Sequence, residues 1–112
     1  MKYLIMLFGD ESTYAEMSEE DQAASMEQHG AFDSWCTENN VSVLSGEALM
    51  DSPAAKTVSP NGTVTDGPYL EVKEQIGGYY LIETDSPELA VEAARICPNY
   101  GHNELRPVVD MQ

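Results

Sequence analysis

Apolar and polar positions recur along the chain in a pattern that predicts two helices set between short strands. Residues 3–8 form a run of aromatic and aliphatic side chains, which is typical of a buried strand, and a polar loop is predicted over residues 10–17. Ser18 precedes three acidic residues and predicts the start of a helix that extends to about residue 39. One side of this helix is predicted to be buried: Ala24, Gln28, Ala31, Phe32, Trp35 and Cys36.

A strand predicted over residues 41–49 leads into a segment with two turn signals. Asn61-Gly62 lies between β-branched residues and predicts a hairpin with strands over residues 55–59 and 63–65. In such a two-residue turn both central residues take positive φ. Asp66-Gly67-Pro68 follows as a second turn, at the exit of the hairpin. We interpret this segment as an insert between two strands of a larger sheet.

The second half of the chain repeats the strand–helix–strand order. Residues 76–84 form the clearest predicted strand, Ser86 and Pro87 predict a helix start, and a last strand is predicted over residues 103–109. The order predicts an α+β fold, a ferredoxin-like split βαβ sheet with both helices on one face. Since residues 79–82 are apolar in succession, we expect a second copy to cover the other face.

Net charge excludes several classes of partner. Twenty acidic residues outnumber five basic ones, so the chain carries −15 and repels nucleic-acid phosphates and anionic membrane surfaces. We therefore expect no nucleic-acid or membrane partner, and a small neutral or cationic molecule fits the charge better.

Length and motif content limit the remaining possibilities. The 112 residues predict one domain, and the apolar stretch near the start is too short to cross a bilayer, which favours a cytoplasmic protein. Cys36 and Cys97 match neither a zinc spacing nor a C-x-x-C motif. With no nucleotide fingerprint or phosphate loop either, no metal or cofactor is expected.

The segment from Val64 to Ile82 carries a resemblance to a known family. It reads VTDGPYLEVKEQIGGYYLI and is similar to the signature of the DGPF branch of the YCII-related family, with Tyr69 in place of the usual phenylalanine. Residues 1–10 and 104–108 also resemble the family. The resemblance implies a ferredoxin-like domain, here with a hairpin insert, that pairs into a dimeric α+β barrel.

The resemblance also implies an active site built on a histidine and an aspartate. By motif position these are His29, on the first helix, and Asp66, in the turn. Some genes of the family lie beside sigma-factor genes or are fused to them, which implies a regulatory partner as an alternative to catalysis.

Each candidate residue has an alternative interpretation from its local sequence. His29 lies at the edge of the predicted buried face and suits acid–base chemistry near neutral pH, yet Asp33 one turn later predicts a surface pair instead. Asp66 suits a turn that caps its own backbone. Tyr69, Glu71 and Lys73 are weaker candidates for substrate binding, and a lysine between acids is typical of an exposed ion pair.

Two functions therefore follow from the sequence. One is a cofactor-independent enzyme that acts on a small molecule with His29 as acid or base and Asp66 as its orienting partner. The other is a non-catalytic module that binds a ligand or a protein such as a transcription factor. Only the first requires His29 and Asp66 to lie within hydrogen-bond reach.

Overall fold

The computed structural model describes residues 1–111 of this chain as a mixed α+β domain. Its elements in chain order are β1 (Lys2–Asp10), α1 (Glu11–Ala15), α2 (Glu19–Glu38), β2 (Ser42–Ala48), β3 (Lys56–Val58), β4 (Val64–Asp66), β5 (Glu74–Glu83), α3 (Pro87–Ile96) and β6 (Gly101–Pro107). A single 3₁₀ turn, Ser52–Ala54, lies between β2 and β3.

Four strands form an antiparallel sheet in the order β2–β5–β1–β6. This order places the first strand of each strand–helix–strand unit in the centre and the second at an edge, which is the split βαβ arrangement. The predicted ferredoxin-like α+β fold is confirmed. In the register of the sheet Ile5 lies opposite both Tyr80 and Leu105, and Leu7 lies opposite Gly78 and Asn103.

The core lies between one face of this sheet and the helices α2 and α3. Side chains in β1 alternate strictly, so that Tyr3, Ile5 and Leu7 are buried and their neighbours are not. The fully buried Phe32 of α2 and Ile82 of β5 complete the centre of the core. Helix α3 contributes small residues, which lets it approach the sheet closely.

The opposite face of the sheet is not covered by a helix in residues 1–111. This open face carries six large, half-buried apolar side chains from the two central strands: Leu4, Met6, Phe8, Ile76, Tyr79 and Leu81. A sheet with apolar residues on both faces is typical of a layer that has a further partner.

Helix α2 begins as predicted but turns a different face to the sheet. Ser18 accepts a hydrogen bond from the Asp21 backbone and Asp21 returns one, which is a capping box. The predicted face was wrong in half of its members, because Ala24, Gln28 and Ala31 are exposed. The side chains that face the sheet recur at helical spacing as Ser25, His29, Phe32 and Cys36. Alanines carry too little apolar surface to fix the rotation of a helix; Phe32 fixes it here.

The insert between β2 and β5 contains the predicted hairpin with a different turn. Ser59 and Thr63 close the loop, and of its residues only Gly62 has positive φ, at 88°. The two-residue Asn61-Gly62 turn was therefore wrong: β3 ends one residue earlier than predicted and β4 begins one residue later, and the five-residue loop between them needs only one left-handed residue.

Other boundaries also differ from the prediction. The polar loop expected over residues 10–17 contains the short helix α1, whose first turn is capped by the Asp10 carboxylate. Strand β6 begins two residues earlier than expected and ends at Pro107. Within residues 1–111, no helix combines the length and apolar character needed to cross a bilayer.

Candidate functional site

A cleft of about 510 Å³ opens between helix α2 and one end of the sheet. The C-terminal end of β2 and the N-terminal half of β5 lie at this end. Its walls include Tyr14 of α1, His29 of α2, the glycine pair Gly77-Gly78 of β5, and Tyr100 just before β6. Four separate segments of the chain thus meet at one opening.

His29 is held between two tyrosines on the wall of this cleft. Its Nδ1 lies 2.6 Å from the Tyr80 hydroxyl, and its Nε2 lies 3.1 Å from the Tyr100 hydroxyl. The Tyr100 hydroxyl also bonds the Ser25 hydroxyl. A neutral imidazole has one nitrogen that donates and one that accepts, so a single tautomer satisfies both contacts at once. The four side chains form one continuous hydrogen-bonded chain.

The local sequence explains why these groups meet. Ser25 and His29 are one helical turn apart and lie on the sheet-facing side of α2, in line with the buried Phe32. Tyr80 shares the helix-facing side of β5 with Gly78 and Ile82, and its ring packs 4.7 Å from that of Phe32. The imidazole is therefore positioned by packing as well as by hydrogen bonds.

Gly46 in β2 makes room for the ring of Tyr80. A Cβ atom at this position would lie 2.6 Å from Cδ1 of Tyr80 and 2.9 Å from Cε1, well inside van der Waals contact. Any side chain at residue 46 must therefore displace the ring or the strand. The glycine allows the ring to lie against the strand and to direct its hydroxyl toward His29.

Tyr14 supplies a hydroxyl with no hydrogen-bond partner among residues 1–111. Its ring packs 4.9 Å from that of Tyr100, and its hydroxyl approaches the backbone at Gly9 and Gly77, where a Cβ would lie 3.1 Å from the oxygen. Burial raises the pKa of Tyr14 to about 12, so the hydroxyl stays protonated and can donate to a ligand.

Burial also sets the charge state of the central groups. It lowers the pKa of His29 below the ordinary value of 6.5, and the nearby negative charge of Asp33 opposes this only in part. Burial raises the pKa of Tyr80 to about 12. At neutral pH the cleft therefore contains an uncharged imidazole, which can accept a proton, and the protonated hydroxyls of Tyr14 and Tyr80, which can donate hydrogen bonds.

Comparison with known proteins agrees with the fold and the motif. The model of the YCII-related domain family matches residues 1–112, the whole chain. The chain belongs to the YCII-related family. It is also 32% identical over 116 aligned positions to an uncharacterised protein of Rhizobium meliloti (strain 1021), an alignment that covers 96% of this chain and 92% of that protein.

Asp66 lies apart from His29 within this YCII-related chain. It is the last residue of β4 in the hairpin insert, its side chain is 82% exposed, and it forms an ion pair with Lys56 across the hairpin. In the part of the chain that is described, both ring nitrogens of His29 are bonded to tyrosines. The histidine–aspartate pair implied by the resemblance is not formed within one chain and stays a prediction.

The other interpretation of His29, a surface pair with Asp33, is not found either. Asp33 is close enough to affect the pKa of His29, but no ion pair between them occurs within residues 1–111. The imidazole faces the sheet and the cleft, and its nitrogens contact tyrosine oxygens.

The three weaker candidates lie on the surface near the end of the insert. Tyr69, Glu71 and Lys73 are exposed, and Lys73 lies 3.9 Å from the Asp10 carboxylate. None of them lines the His29 cleft in the described chain, so their role in substrate binding stays a prediction. Within residues 1–111, no group of three histidine, cysteine or acidic side chains is arranged to hold a metal ion.

Sequence reasoning missed the tyrosines of the site. Tyr80 had a usable signal, because strand alternation places it on the same face as Ile82. Ser25 had one as well, since it precedes His29 by one helical turn. Tyr14 and Tyr100 had none: each reaches the cleft from a short segment whose position only the tertiary fold determines.

Proposed function

We propose that the His29 cleft binds a small, uncharged or cationic molecule and moves a proton on it without a cofactor. The observation that carries the proposal is the neutral imidazole held between two tyrosine hydroxyls, beside the Tyr14 hydroxyl, which has no hydrogen-bond partner in residues 1–111. A convergence of polar groups in a cleft that is otherwise apolar is typical of a small-molecule site.

The hydrogen bonds to His29 define how the proton would move. Because both ring nitrogens are occupied, a ligand meets a tyrosine hydroxyl first. In the tautomer with hydrogen on Nδ1, a ligand proton passes to the Tyr100 oxygen as the Tyr100 proton passes to Nε2 of His29. The products of this step are an imidazolium and the deprotonated ligand. A neutral ligand becomes an anion, to which Tyr14 donates a hydrogen bond, and a cationic ligand becomes neutral. Return of the proton to the same or another ligand atom restores the neutral site.

The charges around the cleft select the class of ligand. No lysine or arginine lines the cleft in residues 1–111, whereas Glu47 does, and the whole chain carries −15. An anionic ligand would therefore enter against the field of the protein. A neutral molecule, or one with a positive charge, would not.

Only the family resemblance supports a role for Asp66 as the orienting partner of His29. Its exposed position and its ion pair with Lys56 supply no contact to His29 within the chain. The proton transfer described above uses His29, Tyr100 and Tyr14 and does not require Asp66. The alternative function, a ligand-binding module without turnover, would use the same cleft and differs only in the chemistry.

We also propose that the chain forms a homodimer through the open face. Six large apolar side chains on two central strands form a contiguous patch, and such patches on soluble proteins mark interaction surfaces. Packing two such sheets face to face would cover the open face of each sheet, whose other face already packs against α2 and α3.

An NMR fragment screen tests the proposed site. The probes are neutral phenols and small ketones at millimolar concentration, and the readout is the chemical shift of backbone amides in wild type and in His29→Gln. We expect binding fragments to shift Gly77 and Gly78 amides, and we expect affinity to fall about tenfold in His29→Gln, since one buried hydrogen-bonding partner is lost. His102→Gln, a histidine paired with Glu74 outside the cleft, is the matched control.

The same samples in deuterium oxide separate catalysis from binding alone. An acid–base site would exchange the α-hydrogens of a bound ketone faster in wild type than in His29→Gln. Binding without exchange would support the non-catalytic module. Fragments that bind elsewhere, or equal binding by His29→Gln and wild type, would contradict the proposed site.

A further inference from the structure

We propose that residues 49–73, the arm, contact a second copy of this chain and extend the interface of the proposed homodimer, on which this inference rests. The arm leaves the sheet after β2, carries the β3–β4 hairpin and returns at β5. It is a separate, two-stranded unit beside the four-stranded sheet. The accessible surface, the exposed apolar side chains and the charge distribution of the chain all favour a second copy as the partner of the arm.

The chain exposes more surface than a folded monomer of its size requires. Its accessible surface is 7780 Å², whereas a monomer of this mass exposes ~6,100 Å². Its radius of gyration is 15.6 Å, against about 13 Å for a compact chain of this length. The excess of about 1,700 Å² is more than the ~800 Å² that each partner buries in a standard interface. A second copy would cover surface that the chain alone leaves exposed.

Much of the exposed apolar surface lies on the arm. Seven of the fifteen large apolar side chains that are exposed in residues 1–111 belong to this quarter of the chain: Leu49, Met50, Val58, Val64, Tyr69, Leu70 and Val72. Tyr69 is 83% exposed and Met50 is 82% exposed. An excess of this kind on one segment differs from the scattered apolar residues that any surface carries.

The arm has few contacts that would hold it in place within one chain. Its hairpin pairs three residues with three, and two-stranded hairpins are marginally stable in water. The two ends of the arm are attached to the domain. The Glu11 carboxylate oxygens lie 2.5 Å from the backbone nitrogen and the hydroxyl of Ser52, the Leu49 backbone nitrogen donates to the Gly77 carbonyl, and the Gln75 amide donates to the carbonyls of Leu70 and Val72. The hairpin itself lies beyond these attachments, and a second copy would give it a surface to pack against.

The arm is continuous with the open face. A groove at its base is lined by apolar residues that include Leu49, Met50, Pro68 and Ile76. Ile76 is also a member of the open face, where it lies opposite Phe8. Ser52 and Gln75 also line the groove, and Ile76 connects it to the open face. A partner that covers the open face at Ile76 therefore also reaches the groove at the base of the arm.

The distribution of charge favours contact with a second copy at the arm over contact at other segments of the chain. Three acids and two lysines give the arm a net charge of −1, while the whole chain carries −15. Helix α2 alone carries six acidic residues and neither lysine nor arginine. Two copies of so acidic a chain repel each other except where acids are scarce, and the arm combines low charge with apolar side chains.

Sedimentation velocity over a concentration series tests the arm. The variants are Tyr69→Glu with Leu70→Glu on the arm, Leu81→Glu on the open face, and Val91→Glu on α3 as the control at an exposed apolar site away from both. We expect the arm variant to raise the dimer dissociation constant by about tenfold or more, and Val91→Glu to leave it unchanged. Circular dichroism checks that each variant is folded.

Hydrogen exchange of the unmodified chain provides a readout that no folding defect can affect. We expect the arm amides to become more protected as concentration rises through the dissociation constant. A dimer that Leu81→Glu weakens but the arm variant does not would overturn the arm inference and leave the sheet-to-sheet dimer standing. A wild-type chain that stays monomeric would overturn both, and neither result bears on the His29 cleft.

Discussion

Replacing Phe32 with alanine is expected to destabilise the chain by about 3–5 kcal/mol, the range for truncating a fully buried phenylalanine. Phe32 is 0% exposed and is the largest side chain at the centre of a core of only ten buried apolar residues within the described chain. It packs against both the sheet and the ring of Tyr80. A domain of this size has a free energy of unfolding of about 5–15 kcal/mol, so the variant loses a large share of it.

Urea unfolding monitored by the fluorescence of Trp35 measures this loss, at one fixed protein concentration because dimerisation shifts the transition. Met26→Ala on the same helix is the control, since Met26 is exposed and its truncation is expected to change stability by less than about 0.5 kcal/mol. Equal unfolding midpoints for the two variants would mean that α2 does not pack through Phe32.

The substitutions Gly46→Ala and Gly30→Ala are expected to have opposite effects. At residue 46 the new Cβ would overlap the ring of Tyr80 at 2.6 Å. Overpacking of this kind costs about 1–3 kcal/mol and moves the Tyr80 hydroxyl away from His29. At residue 30 the new Cβ has no neighbour within 4 Å and lies in the middle of α2. There alanine stabilises a helix by about 0.5–1 kcal/mol relative to glycine.

Thermal unfolding of the two variants beside wild type checks the sign of each effect, and the ring resonances of His29 report any movement of Tyr80. The chemical change is the same in both, so a difference in sign isolates the packing. If Gly46→Ala is as stable as wild type and leaves the His29 resonances in place, Tyr80 does not occupy the position described here.

Local sequence signals predicted the elements, and their limits explain why the buried face of α2 was predicted only in part and why the tyrosines of the site were missed. Ser18 and Ser86 determine where α2 and α3 start because capping depends on residues within one turn. The rotation of α2 does not depend on neighbours alone. Because Ala24 and Ala31 are apolar, helical periodicity predicted a buried face that includes them and leaves Ser25 and His29 at its edge. Contact with the sheet instead buries the side with Ser25 and His29 and exposes both alanines.

Long-range contacts account for the parts of the site that sequence reasoning missed. His29 was singled out for its chemistry and lies in the cleft, but its partners Tyr80 and Tyr100 are 51 and 71 residues away in sequence. No spacing rule connects residues at such separations. Asp66 was singled out by motif position, and within the chain it forms a hairpin ion pair with Lys56.

The central claim, that His29 is a neutral base held by tyrosines in the cleft, is tested most directly by an NMR pH titration of the two histidines. Glu74 raises the pKa of His102 and burial lowers that of His29, so the two ring signals should titrate on opposite sides of the ordinary value of 6.5. The variant His102→Gln assigns the signals.

Three further variants identify what sets the pKa of His29. Tyr80→Phe should shift the His29 resonances, Asp33→Asn should lower its pKa further because a negative charge is removed, and Asp66→Asn should leave it unchanged. A His29 pKa at or above 6.5 that falls only when Asp33 is changed would contradict the account, because the histidine would then be an exposed helix residue and not part of a site.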